Sequence, residues 1–293
     1  MIKQKQNFLG IVAPFLKGIG QIMLQNNAWT GLFFLAGICC GSYLMGIAAI
    51  LSVVTGTFTA KWLKYNEDEI NDGIYGFSAA LAGVALICFF QPTILIWSAI
   101  LIGSALATMI QHLFIRKKIP AFTFPFIVVT WLFLAVVHYC PALVQPQQGV
   151  TNAYANDYLT LFSLGFGQVI FQGDIYAGIL FCIGVFINRP VAAMYAMLSI
   201  ALSAIIACLL KESVNDIYLG LLSYNAVLCA ITFAGNKAGD FFMAFLSVVL
   251  SVLIMIQMRH MNLPALTFPF VFATWLTLGI KATQQAVQLK LKQ

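Results

Sequence analysis

The chain has 293 residues, of which 61% are hydrophobic and only 8% charged; soluble domains carry about 25% charged residues, so a water-soluble globular protein is excluded. The apolar runs do not alternate as barrel strands do, which excludes a transmembrane β-barrel. The formal net charge is +6, but the Lys and Arg residues stand at segment ends, as topology anchors do, and no basic patch interleaved with aromatics marks a nucleic-acid partner.

Residues 15–24 form a Gly-containing, moderately apolar segment too weak for a full crossing. Residues 31–60 read as one membrane span, ended by Lys61, Lys64 and the acidic patch Glu67, Asp68, Glu69. Residues 73–115 carry no Asp, Glu, Lys or Arg. A helix needs about 20 apolar residues to cross a bilayer, so this run holds two spans, 73–90 and 94–115, parted by Gln91 and Pro92. The basic cluster Arg116, Lys117, Lys118 leads into a Pro-rich segment and a span to Val137. Residues 139–157 are polar, contain Pro141 and Pro146, and read as a linker.

The same order then returns. Residues 164–171 are short and Gly-rich; spans follow at 175–186, 191–210, 217–233 and 241–258, then the second Pro-rich block and a span to Ile280; a polar tail runs from Lys281. The fold expected is an all-α polytopic membrane protein. It has two homologous inverted halves, residues 1–148 and 149–293, each with about five transmembrane helices and one short re-entrant or tilted half-helix. The substrate path lies at their interface.

Three landmarks carry the duplication. The segments Ile119-Pro-Ala-Phe-Thr-Phe-Pro-Phe-Ile-Val-Val-Thr-Trp131 and Leu263-Pro-Ala-Leu-Thr-Phe-Pro-Phe-Val-Phe-Ala-Thr-Trp275 agree at eight of thirteen positions. Gly18-Ile-Gly-Gln21 matches Gly165-Phe-Gly-Gln168, and Phe77-Ser-Ala-Ala-Leu81 matches Tyr224-Asn-Ala-Val-Leu228. The linker has no Lys or Arg while both ends of the chain are basic, so the linker is expected outside and both termini in the cytoplasm. An odd number of crossings per half follows, and a second half with the same count must run inverted.

The Pro-rich blocks are where chemistry is expected. Pro120 and Pro125 cannot both lie within a regular helix, since each lacks an N–H and clashes with the preceding turn. A fresh helix fits, with Thr123 as N-cap and Pro125 in its first turn; Thr267 and Pro269 repeat the arrangement. Irregular backbone at membrane depth is tolerated only where it is buried or lines an aqueous path. A Pro kink that serves packing alone is the competing reading, and it is weaker for two matched copies than for one. Gln21 and Gln168, neutral amides at matched positions, offer both donors and acceptors; ordinary interfacial glutamines are the alternative. Phe77 with Leu81, and Tyr224 with Leu228, lie four residues apart and share a helix face, as core or lipid-facing pairs also would.

No acidic residue lies in the middle of a long span, where ion-coupled carriers place ionisable groups. His112, His138 and His260 do not match between halves, which disfavours a paired-His ammonium path. The seven cysteines include no C-x-x-C pair, so no metal, cofactor or redox role is expected. Nor is there a nucleophile elbow, zinc spacing or phosphate loop to suggest an enzyme. No removable leader is evident, and a prokaryotic inner membrane is the expected location.

At these residues the chain resembles the urea transporter family, whose duplicated Leu-Pro-x-x-Thr-x-Pro-Phe signature stands here as Ile119–Phe126 and Leu263–Phe270. The resemblance implies a homotrimer in the lipid bilayer, each copy with one passive, urea-conducting slot between inverted halves. It implies that Gln21 and Gln168 stand at two ladders of hydrogen-bond acceptors. Leu24 with Phe77, and Phe171 with Tyr224, form the wider slots. Leu81, Val169 and Leu228 line the constriction, and Thr123 and Thr267 flank its midpoint, with Thr130 and Thr274 as second choice. The chain departs from the family pattern at Gln168, where Glu is frequent, and at Leu24 and Tyr224, where Phe is expected. A wider or more polar slot that admits close urea analogues follows. A channel for ammonia or a short amide, and an ion-coupled carrier, are the alternatives.

Overall fold

A computed structural model describes residues 8–147 and 157–291; the expected boundary between halves, at 148 and 149, lies outside them. Fourteen helices are described, and their order runs twice through one plan. The first series is α1 (Phe8–Gly20), α2 (Ala28–Gly41), α3 (Tyr43–Trp62), α4 (Glu67–Asn71), α5 (Phe77–Phe89), α6 (Ile94–Arg116) and α7 (Phe124–Tyr139). The second is α8 (Tyr158–Gly167), α9 (Ile175–Asn188), α10 (Pro190–Leu209), α11 (Val214–Tyr218), α12 (Tyr224–Phe233), α13 (Ala238–His260) and α14 (Phe268–Leu291).

Caps explain the boundaries. Asn27 accepts from the amides of Trp29 and Thr30 to start α2, and Asp174, at the matching place, accepts from Ala177 to start α9. Each satisfies amides that a helix start leaves without partners. The expected single span 31–60 is two helices. Ser42, extended at φ −161°, breaks the chain and accepts from the Met45 amide. The physical reason is length: 30 residues of helix measure about 45 Å, beyond the roughly 30 Å apolar thickness of a bilayer. The break at Ser42 gives the first half the same five apolar helices as the second.

Among the described residues, α3, α6, α10 and α13 are long and apolar enough to cross a membrane alone. A fifth candidate is the α8–α9 pair, bent by 79° at the break between them. Helices α2, α5, α7 and α12 are apolar but have only 10 to 16 residues. At 1.5 Å per residue they cover about 15–24 Å, and irregular segments must make up the rest of the depth. Exposed Trp29, Tyr43, Trp62, Tyr139, Tyr158 and Tyr176 cluster at helix ends, between broad exposed apolar faces. Aromatic rings at the ends and bare aliphatic surface between them are the pattern of a membrane protein.

The halves join along two seams. In the first, α2 packs on α9 by exchange of rings and notches. Phe181 lies where a Cβ on Gly37 would come within 2.5 Å, and Phe34 lies 2.9 Å from the Cβ position of Gly184. The two rings meet edge to face at 5.3 Å, and Thr30 Oγ1 donates to Gly184 O at 2.7 Å. In the second seam, the segments before α7 and α14 cross. Trp131 Nε1 donates to Pro264 O and Trp275 Nε1 to Pro120 O, both at 2.8 Å. The ring-in-notch contacts and the indole bonds each have a mate in the other half; the Thr30 bond has none, because Ala177 holds the matching place.

Candidate functional site

The backbone itself marks the site. Among the described residues, eight non-glycine residues have positive φ, and they fall into four matched pairs: Leu24 with Phe171, Lys64 with Lys211, Lys118 with Asn262, and Phe122 with Leu266. The Lys and Asn pairs lie just beyond the ends of α3, α10, α6 and α13, where a left-handed residue ordinarily closes a helix. The other four are bulky apolar residues, for which this region costs about 1–2 kcal/mol each. Leu24 and Phe171 end short 3₁₀ turns, Gln21–Met23 and Gln168–Ile170, that tighten the last turns of α1 and α8. Phe122 and Leu266 lie immediately before Thr123 and Thr267. Strain of this kind persists only where surrounding packing imposes it, and it gathers at functional sites.

Thr123 and Thr267 meet at the centre. Both are buried, and their hydroxyls are 2.6 Å apart. Thr123 takes the expected N-cap position of α7, with Pro125 in the first turn. Its side chain makes no capping bond, contrary to expectation; the opposite hydroxyl is the nearer partner and claims it. Leu81, Leu228 and Val169 are buried. Thr130 and Thr274 lie about two turns into α7 and α14 and are also buried. Thr130 Oγ1 has no hydrogen-bond partner, while Thr274 Oγ1 is 3.8 Å from Cys229 Sγ.

Gln21 is half-buried, and its Nε2 donates to Asp72 O at 3.1 Å. That bond leaves Oε1 as the acceptor of the amide. The Lys17 ammonium holds the Asp72 carboxylate at 3.1 Å. The Asn26 side chain, and after it Lys17, keep the Asp72 carboxyl below the usual carboxylate range. Gln168 is likewise half-buried at the start of its 3₁₀ turn.

Phe77 and Tyr224 open α5 and α12. The structure sets Phe171 against rings of the first half: Phe89 at 5.7 Å and Phe126 at 6.0 Å, both edge to face. Leu24 is half-buried against the core. Sequence reasoning missed Phe89, Phe126, Asn225 and the Trp–Pro bonds. Trp131 and Trp275 were visible in the repeated segment. Nothing in the sequence, however, tells which carbonyl each indole reaches.

The histidines are engaged elsewhere. His112 Nδ1 lies 2.9 Å from Tyr75 Oη and its ring stacks on Tyr65 at 3.6 Å, while His260 Nε2 lies 2.9 Å from Glu212. Among the described residues no group of three His, Cys, Asp or Glu could hold a metal ion.

The arrangement is a buried pair of hydroxyls between two strained breaks in the backbone. It offers hydrogen-bonding groups, and its parts are matched across the two halves. Residues 12–282 match the family described as urea transporter. The chain is 26% identical to urea transporter 1 of Rattus norvegicus, with 94% of this chain and 79% of that protein covered. It is 25% identical to urea transporter 1 of Capra hircus over the same shares. The repeated Thr-x-Pro-Phe breaks, the matched helix order and a family match over nearly the whole length together place this chain in the urea transporter family, whose members are transporters and not enzymes.

Proposed function

We propose that the chain carries urea passively across a prokaryotic inner membrane, down its gradient, through a slot between its two halves. The observation that carries this reading is the meeting of two unwound, strained backbone segments at the buried Thr123–Thr267 pair. Urea is flat, neutral and rich in N–H donors. Flat apolar walls select its shape, and hydroxyl, carbonyl and amide oxygens replace its water. Gln21 Oε1, Gln168, Thr123 and Thr267 supply those oxygens. Leu24, Phe77, Phe171 and Tyr224 form the walls, and Leu81, Val169 and Leu228 set the width. An ion gains too little from neutral oxygens to offset its desolvation, which is tens of kcal/mol on Born estimates.

Ten crossings in two inverted halves, 1–148 and 149–293, with both termini cytoplasmic, fit the charge distribution. Counted from a cytoplasmic N-terminus, Lys61, Lys64, Arg116, Lys117, Lys118, Arg189 and Lys237 fall inside. Lys211, Arg259 and His260 fall outside, where Asp216 pairs with Arg259 and Glu212 with His260. The family resemblance supports a homotrimer with one slot per copy, its exposed apolar faces covered by lipid or by neighbouring copies.

Stopped-flow urea efflux from proteoliposomes, without an ion gradient, tests the reading. Fast efflux that a urea analogue blocks is the expected result. Efflux at the level of empty liposomes would move the substrate to ammonia or a short amide, and accumulation driven by a proton or sodium gradient would make the protein a coupled carrier.

A further inference from the structure

The two matched breaks share a backbone but not their wiring. Phe122 and Leu266 have nearly the same φ, 47° and 46°. In the second half, the Leu266 carbonyl accepts from Tyr224 Oη at 2.6 Å and from Asn225 Nδ2 at 3.2 Å. Asn225 Oδ1 in turn accepts from the Phe270 amide at 3.1 Å. In the first half Phe77 and Ser78 hold the positions of Tyr224 and Asn225. Phe77 has no donor, Ser78 Oγ is buried without a partner, and no hydrogen bond among the described residues reaches the Phe122 carbonyl.

A carbonyl oxygen has two lone pairs. Those of Leu266 are both taken, and those of Phe122 are both open. The single hydroxyl hydrogen of Tyr224 is committed to Leu266, so the phenolic oxygen can only accept from anything else that approaches it. It also extends one oxygen atom beyond the ring edge where Phe77 ends.

We propose that Tyr224 is a specificity-determining residue. Its hydroxyl, held on the Leu266 carbonyl, serves as the N–H acceptor and the width gauge of the second-half slot, in the role that the bare Phe122 carbonyl has in the first. This rests on the urea-slot reading above. The half-buried side chain of Tyr224 and its direct bond to the residue before Thr267 place the hydroxyl beside the central pair.

The test is permeability of full-length protein in proteoliposomes to urea and to 1,3-dimethylurea, which is bulkier. Tyr224→Phe removes the acceptor and leaves a wider gap with the Leu266 carbonyl set farther back. The ratio of urea to dimethylurea permeability should fall, on the order of tenfold, the scale on which an apolar pocket discriminates one small group. A purely structural role would lower both fluxes together and leave the ratio unchanged. The converse variant, Phe77→Tyr, should bond to the Phe122 carbonyl and raise the ratio. An unchanged ratio in Tyr224→Phe overturns the proposal; if that variant does not fold, an unchanged ratio in Phe77→Tyr overturns it. Wild-type urea flux at the empty-liposome level would sink the slot reading itself, whereas normal wild-type flux with unmoved ratios would sink this inference alone.

Discussion

The hydroxyls of Thr123 and Thr267 satisfy each other in a buried place, and this makes single and double substitution unequal. Thr123→Val leaves Thr267 Oγ1 as a buried orphan, at a cost of about 1–3 kcal/mol, whereas replacing both threonines by an isosteric apolar residue is close to neutral. Thermal melting of the purified protein should therefore show the single variant less stable than the double variant. Urea efflux should move differently and fall in Thr123→Val/Thr267→Val, because the double variant keeps the fold and loses the central oxygens. Undiminished efflux in that variant would put the constriction elsewhere, with Thr130 and Thr274 the next pair to change. Much of this was legible in the sequence, since the doubled Thr-x-Pro-Phe pattern singled out both threonines. What it concealed was the use of the hydroxyls: an N-cap preference is a local rule, and a partner 144 residues away overrides it.

Helices α2 and α9 hold the halves together by placing each phenylalanine over the other helix's glycine. Gly184→Val would drive methyl groups into the Phe34 ring, and overpacking of this kind costs about 1–3 kcal/mol. The melting temperature in detergent should drop, and the added change Phe34→Ala should recover part of it by vacating the volume. No recovery would mean that this seam does not carry the association. The indole bonds of the second seam are also testable. Trp131→Phe removes a donor to Pro264 O, and because the net worth of such a bond is about 0.5–1.5 kcal/mol, only a modest fall in melting temperature is expected. At this scale the sequence located most apolar helices by run length and charge. It misread residues 31–60, because Gly41 and Ser42 are weak breakers and an unbroken hydropathy run does not reveal a turn capped by a single serine.

For the molecule as a whole, the odd number of crossings per half proposed above sets which side each loop faces. Cys140 is exposed at the end of α7, on the linker side. With the other cysteines replaced by serine, a membrane-impermeant maleimide should label Cys140 in intact cells. A tag following Gln293 should stay hidden from antibody until the cells are permeabilised. Labelling in the opposite sense would reverse the orientation proposed here, and a tag accessible on the same side as Cys140 would contradict the odd count. Neither result would touch the helix order, which repeats independently of the membrane.

The sequence by itself determined the membrane class, the duplication and the positions of the proline-marked breaks. Those depend on local properties: run length, charge at segment ends, and prolines that cannot continue a helix. Only the tertiary structure decided which groups meet. It brought Thr123 to Thr267, set Phe171 against Phe89 and Phe126, and tied Tyr224 to the Leu266 carbonyl while leaving that of Phe122 open. Contacts between residues so far apart in the chain follow from how two packed halves align, and no local pattern of residues encodes that alignment.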